Sequence, residues 1–299
     1  MKPPNALVDK GRAVEEWADL HFFRPIGARI ARALAPTRIS ADDVTMLAIL
    51  IGLVAGHLFY YDSARLNALG LLLFIVSDVF DSADGQLARM RGTSTRRGRI
   101  LDGIGDNVRF ANLYGHLLAR LVMAGGGWHA VALVACAALS HSFQSAVIDF
   151  IRNAYLFVVD GKGELDLPED LTAEPESRSL PGRLAQWVHR DYVERQTRLL
   201  PRSTRLIRLF RQAHVSSSFR EEYADRQRAL LPHCAWLGQN LRFLVVGIAC
   251  IVGHPGAFLW IEATALNVVL VSLLMLHESN SGQLQTVLEP ELDAYAGIH

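Results

Sequence analysis

Asp81-Ser-Ala-Asp84-Gly85-Gln-Leu-Ala88-Arg89, followed after eight residues by Gly98-Arg-Ile-Leu-Asp102-Gly-Ile-Gly-Asp106, sets four aspartates at the edge of apolar sequence. The run leading into Asp81 is mostly apolar, and so is much of the segment after Gly98. A carboxylate at the centre of a membrane helix costs about 2.5–3.5 kcal/mol on insertion scales. Four together cost on the order of 10 kcal/mol unless something cationic compensates. A divalent metal ion is the simplest compensation.

The surrounding composition supports a membrane setting. Of the 299 residues, 51% are hydrophobic and 20% charged, and the net charge is zero. The charges are segregated. Apolar runs dominate from Val44 to Phe150 and again from Leu241 to Leu276, whereas residues 151–235 hold fourteen Arg or Lys against twelve Asp or Glu. This pattern indicates an all-α integral membrane protein with a polar insert, not a soluble domain. Residues 1–35 mix charges throughout and lack the unbroken apolar core of a cleavable signal. Cys136, Cys234 and Cys250 are isolated, so neither a disulfide nor a zinc site is expected.

Six membrane-spanning helices are expected, near 44–61, 66–81, 100–122, 129–150, 237–253 and 256–276. The second and fifth are short for a core that needs about 20 residues, and the second is expected to continue through Asp81–Arg89. Arg89, Arg91, Arg96, Arg97 and Arg99 follow the second span and the insert is rich in Arg, whereas 123–128 and 254–257 carry no Lys or Arg. The positive-inside rule therefore places the aspartates, the insert and both termini in the cytoplasm, with the chain in the inner, cytoplasmic membrane.

Within the N-terminal segment 1–43, residues 5–32 have the periodicity of an amphipathic helix, with Pro25 breaking or kinking it. Such a helix lies in the membrane interface or packs on the insert. In the insert (151–235), residues 160–182 are acidic and contain Pro and Gly, and are expected to be irregular. Residues 183–235 have helical periodicity and are expected to form a solvated hairpin, with Arg198–Arg211 basic and amphipathic enough for anionic headgroups. The segment 236–276 carries spans five and six, and 277–299 reads as a tail. No nucleic-acid motif is present.

Asp81 and Asp84 are three apart, and Asp102 and Asp106 four apart, so each pair shares one helix face. Two such helices meeting face to face gather four carboxylates, a set of oxygen ligands suited to Mg²⁺ or Mn²⁺. Gly85 and Ala88 leave a helix face without bulk, Arg89 on the next turn can pair with phosphate oxygens, and Gly98 gives room near the carboxylates. The arrangement suits transfer of a substituted phosphate from a diphosphate-activated donor. Metal and Arg neutralise the donor, and a carboxylate takes the proton of the acceptor hydroxyl.

All eight fixed positions of this stretch, from Asp81 to Asp106, resemble the signature of the CDP-alcohol phosphotransferase family. The resemblance extends to the six-span layout and the N-terminal amphipathic helix. It implies a CDP-linked lipid donor, most readily CDP-diacylglycerol, a small alcohol acceptor and release of CMP. By the same resemblance Asp81, Asp84 and Asp102 hold the metal, while Asp106 is the general base with a secondary role in coordination. The resemblance also implies that Gly85, Ala88, Arg89 and Gly98 frame the cytidine diphosphate, and that the protein is expected to be a homodimer among membrane lipids. One stretch departs from the family pattern. Where members often have Pro-Asn before a Thr, this chain has Ala41-Asp42-Asp43-Val44-Thr45, so no nucleotide contact is carried over there.

The acceptor is expected beside Asp106. Arg109, nearly one turn on, with Arg152 at the end of the fourth span and Arg242 at the start of the fifth, are candidates for a basic acceptor pocket. Arg152 and Arg242 equally suit anchors at helix ends. Inositol or inositol phosphate is the preferred acceptor. Glycerol phosphate, serine, or a CDP-amino-alcohol with diacylglycerol are the alternatives within the reaction class. An intramembrane prenyltransferase also pairs Asp-rich motifs with Mg²⁺, but with its two motifs further apart. A non-catalytic membrane scaffold is the remaining class.

Overall fold

The computed structural model describes residues 11, 13–93, 96–161, 165–172, 180–212 and 216–296, with the side chains of 96, 97, 99–102, 180, 181 and 289–296 outside that description. Every regular element among these residues is a helix. A π-helical turn, Asp19–Phe23, runs into α1 (Arg24–Leu34). Pro25 is the second residue after the π-helical turn, and the chain stays helical through the expected break. Of the N-terminal helix expected over 5–32, residues 5–10 and 12 lie outside the described residues, 13–16 are turn and irregular backbone, and the helix begins only at Trp17.

Two long helices follow, α2 (Ala41–Leu58) and α3 (Ala64–Arg91). Ser40 and Asp43 form a reciprocal capping box at the start of α2, with Ser40 N donating to Asp43 Oδ2 at 2.8 Å and Asp43 N donating to Ser40 Oγ at 3.1 Å. The acid at position 43 of the divergent stretch is thereby used in helix initiation. As expected, α3 does not stop at the membrane edge but carries on through the aspartates. It ends at Gly92, whose φ of 66° is the left-handed cap that glycine adopts at least cost.

Next come α4 (Arg96–Leu121) and α5 (Gly127–Val159), joined by a π-helical turn in which Gly125 has φ 89°. In the insert lie α6 (Pro168–Thr172), α7 (Leu180–Leu199), α8 (Pro201–Gln212), α9 (Ser217–Arg228) and α10 (Leu231–Cys234). The C-terminal part holds α11 (Gln239–Ile251), α12 (Pro255–Ala263) and α13 (Ala265–Ala296). Among the described residues, five segments are long and apolar enough to cross a membrane: Ala41–Leu58, Ala64–Arg91, Gly103–Val159, Leu231–Ile251 and Pro255–Leu288. Their outward faces expose apolar side chains such as Met46, Leu50, Val54, Leu72, Trp128, Val131, Val268 and Met275. The expected sixth span is interrupted at Thr264, and the residues read as a tail continue α13 to Ala296.

The chain divides into two compact units, Met1–Ser140 with Gln239–Thr264, and His141–Gly238 with Ala265–His299. The first is built around α2, α3, α4 and α11. Phe59, Phe74, Phe110, Phe243 and Phe258 form its core, with the Phe74 and Phe243 rings stacked at 4.0 Å. Leu113 and Leu117 of α4 share that core with Val134 and Ala137 of α5, so the two helices are neighbours. In the second unit the insert is not a free hairpin. α8 buries Leu206, Ile207 and Phe210, and its first turn is capped by α13, whose Glu278 accepts hydrogen bonds from Arg202 N (2.8 Å) and Ser203 N (2.9 Å). Arg208 and Arg211 of α8 pair with Glu169 and Asp170 of α6, so those two cations of the basic stretch are used within the unit.

Candidate active site

The 78–84 segment of α3 and the 106–109 turn of α4 face each other within the first unit. Arg109 joins them. Only 1% of it meets solvent, and its guanidinium is spread over four partners. Nη1 donates to Ser77 Oγ at 2.8 Å and Asp78 Oδ1 at 3.0 Å, while Nη2 donates to Asp81 Oδ1 at 3.3 Å and to Asp106 Oδ1. Ser77 in turn donates to the Ala48 carbonyl of α2 at 2.7 Å. The stem of Arg109 fits because position 52 is glycine: a Cβ there would lie 2.5 Å from Arg109 Cδ.

Asp84 is 6% exposed, and its Oδ2 is buried with no hydrogen-bond partner among the described residues. A buried carboxylate oxygen in that position favours a cation. The side chains of Asp81 and Asp106 keep an open edge, with 31% and 38% exposed. Asp102 lies on α4 one turn before Asp106, but its side chain is outside the described residues. Among the described residues no three His, Cys, Asp or Glu side chains converge to metal-holding distance. Arg109 engages both Asp81 and Asp106. The donor chemistry nevertheless suits a hard divalent ion, because three carboxylates (Asp78, Asp81 and Asp106) share a single guanidinium and Asp84 follows Asp81 by one turn of α3.

Gly85, Ala88 and Arg89 follow on α3 as half-buried positions. Arg89 folds back over Gly85, where an added Cβ would sit 3.3 Å from Arg89 Nη1. Gly98 is half-buried in the first turn of α4. α1 covers the motif segment of α3: Gln86 donates to the Arg24 carbonyl at 3.1 Å, and Arg91 donates to the carbonyls of Leu34 (2.8 Å) and Thr37 (2.9 Å) at the end of α1. These bonds satisfy carbonyls that a helix end leaves open.

Of the three arginines expected to form an acceptor pocket, Arg109 and Arg242 lie in the first unit and Arg152 in the second. Arg109 turns into the aspartates. Arg242 is 2% exposed and pairs with Glu262, which is fully buried, Nε to Oε1 3.1 Å. Arg152, half-buried on α5, belongs to the second unit. Burial explains the first two, since a guanidinium withdrawn from water must find a carboxylate.

Asp78, Ser77 and Gln239 were not singled out by sequence. Gln239, the first residue of α11, donates to Asp78 Oδ1 at 2.8 Å. Its neighbour Asn240 donates to Glu16 (3.1 Å) and Asp19 (3.0 Å) of the N-terminal segment. Asp78 had a legible signal, because 78, 81 and 84 step along one helix face at intervals of three.

The chain is similar to known proteins over the segment that carries this centre. Three curated relatives match parts of the chain. A phosphatidylinositol phosphate synthase of Mycobacteroides abscessus is 33% identical over 138 residues, covering 44% of this chain and 56% of the relative. A protein of the same name from Streptomyces avermitilis is 32% identical over 108 residues, 36% of this chain and 42% of the relative. An archaetidylinositol phosphate synthase of Pyrococcus horikoshii is 33% identical over 95 residues, 31% of this chain and 49% of the relative. The chain thus spans about half the length of the curated relatives it matches. The family model described as CDP-alcohol phosphatidyltransferase matches residues 38–162, which take in α2 to α5 and every aspartate of the centre. Over residues 38–162 this chain is therefore similar to the CDP-alcohol phosphatidyltransferases.

Proposed function

We propose that the chain is a transferase of phospholipid synthesis that moves the phosphatidyl group of CDP-diacylglycerol to a hydroxyl of inositol phosphate and releases CMP. The observation that carries this reading is the open edge of Asp106 beside Asp81, in the segment that matches the family. The printed names of the three relatives favour an inositol phosphate acceptor.

Asp81, Asp84 and Asp102 would hold Mg²⁺ or Mn²⁺, with Asp106 adjoining. When bound, such an ion neutralises phosphate charge and stabilises the leaving CMP. The chain's own residues do the rest. Before a cation binds, Arg109 bonds Asp106 Oδ1 and leaves that carboxylate's other oxygen for the acceptor. That oxygen takes the hydroxyl proton as the acceptor oxygen bonds to the phosphatidyl phosphorus and the bond from that phosphorus to CMP breaks. Gly85 and Ala88 leave a face of α3 without bulk, and Arg89 lies over it at Gly85. Arg89 supplies a guanidinium to the phosphates of the nucleotide.

Six crossings fit the five apolar segments. Gly103–Val159 has 57 residues, and as one helix it would extend about 86 Å at 1.5 Å per residue, far beyond a core of about 30 Å. The chain reverses at Gly125 and Gly127, both with positive φ, so this segment crosses twice. The arginines after α3 put the aspartates on the cytoplasmic side of the inner membrane. The N-terminal amphipathic segment lies at that interface, and the protein works as a homodimer.

The test is an acceptor panel with purified protein, labelled CDP-diacylglycerol and Mg²⁺ or Mn²⁺, read by the lipid product. Inositol phosphate should give the labelled phospholipid. A product formed only with glycerol phosphate or serine would reassign the acceptor while keeping the reaction.

A further inference from the structure

Asp78 stands outside the eight motif positions, yet only 7% of it meets solvent and its Oδ1 accepts two hydrogen bonds, from Arg109 (3.0 Å) and Gln239 (2.8 Å). Arg109 is always charged and is itself 1% exposed, so it requires a carboxylate whatever else binds at the centre. Its two terminal nitrogens divide the work. Nη1 serves Ser77 and Asp78, and Nη2 serves Asp81 and Asp106.

A divalent cation that takes oxygens of Asp81 or Asp106 competes with Nη2 for them. If Arg109 had no other acid, binding the cation would strand a buried guanidinium, and like-charge repulsion would oppose entry. Asp78 removes that obstacle. Its carboxylate is enclosed, pinned by Gln239 and aimed at Nη1, so it stays with Arg109 when the other two acids are engaged elsewhere.

We propose that Asp78, oriented by Gln239, is a positioning residue: the resident counter-ion of Arg109, which leaves Asp81 and Asp106 available to a divalent cation. The proposal rests on the reading of the aspartates as a cation-holding centre, and it goes further by assigning a role to a residue outside the motif.

Direct Mn²⁺ binding to the detergent-purified, substrate-free chain tests it, followed by loss of the free Mn²⁺ electron paramagnetic resonance signal. Asp78→Asn keeps the size of the side chain and removes its charge. It should raise the Mn²⁺ midpoint about tenfold or more, the range seen when groups behind metal ligands are lost. Asp78→Asn combined with Arg109→Gln should bring the midpoint back towards the wild-type value, because the cation that needed a counter-ion is gone. Gln239→Met, which removes only the donor to Asp78, should shift the midpoint in the same direction by a smaller factor and keeps the test available if Asp78→Asn does not fold. An unchanged midpoint in Asp78→Asn, or in Gln239→Met where that is the variant that folds, would overturn the proposal, as would a double variant that binds no better than the single one. Wild-type protein that binds no Mn²⁺ would overturn the cation reading itself, and the proposal with it.

Discussion

Arg109 Nη1 lies 3.0 Å from Asp78 Oδ1 inside the first unit, and the same guanidinium holds Asp106 one helical turn away. This one side chain ties α3 to α4 across the centre. Arg109→Lys should therefore act on the fold. An ammonium is a compact point charge and cannot span Ser77, Asp78, Asp81 and Asp106 as the planar fork does. Breaking a buried ion cluster in this way costs about 3–5 kcal/mol, read as a fall in melting temperature in detergent. An unchanged melt with a raised acceptor KM would return Arg109 to acceptor binding.

Asp106→Asn tests the assignment of the base. The amide keeps the shape and the bond from Arg109 but cannot take a proton. Turnover should fall by about 10²–10⁴-fold, the usual worth of a positioned general base. Binding of the CDP-linked donor should stay within a few-fold, measured by displacement of labelled CDP. Loss of donor binding in step with turnover would make Asp106 chiefly a ligand.

Glu262→Gln removes the carboxylate that Arg242 pairs with in the buried core. Its expected cost is about 3–5 kcal/mol of stability, with kcat of the folded fraction unchanged. Replacing both partners together by Leu and Met should recover most of that stability, because a buried pair costs nearly as much to desolvate as it returns. A kcat that falls while the melt stays constant would place Arg242 in the site after all.

The helices and the aspartate pattern were legible because both are local. Apolar runs give the spans, and intervals of three and four give the shared faces. The direction of Arg109 was not legible. Its spacing from Asp106 put it near the centre, but whether the guanidinium turns inward depends on Gly52 of α2, whose missing Cβ makes room for the stem. Arg242 resembled an interfacial anchor because its partner, Glu262, comes twenty residues later on another helix. The end of α13 read as a tail because His277, Ser281 and Gln285 are polar. Those side chains are buried in the second unit, where His277 bonds Gln227 at 2.9 Å and Ser281 bonds Ser203 at 2.8 Å. Hydropathy has no access to such pairing.

The most direct measurement of the central claim is CMP release by the purified chain, given CDP-diacylglycerol and Mg²⁺, before and after inositol phosphate is added. CMP should appear only once the acceptor is present, in amounts matching the new phospholipid. No CMP from any CDP-linked donor, across the whole panel of alcohol acceptors, would contradict it.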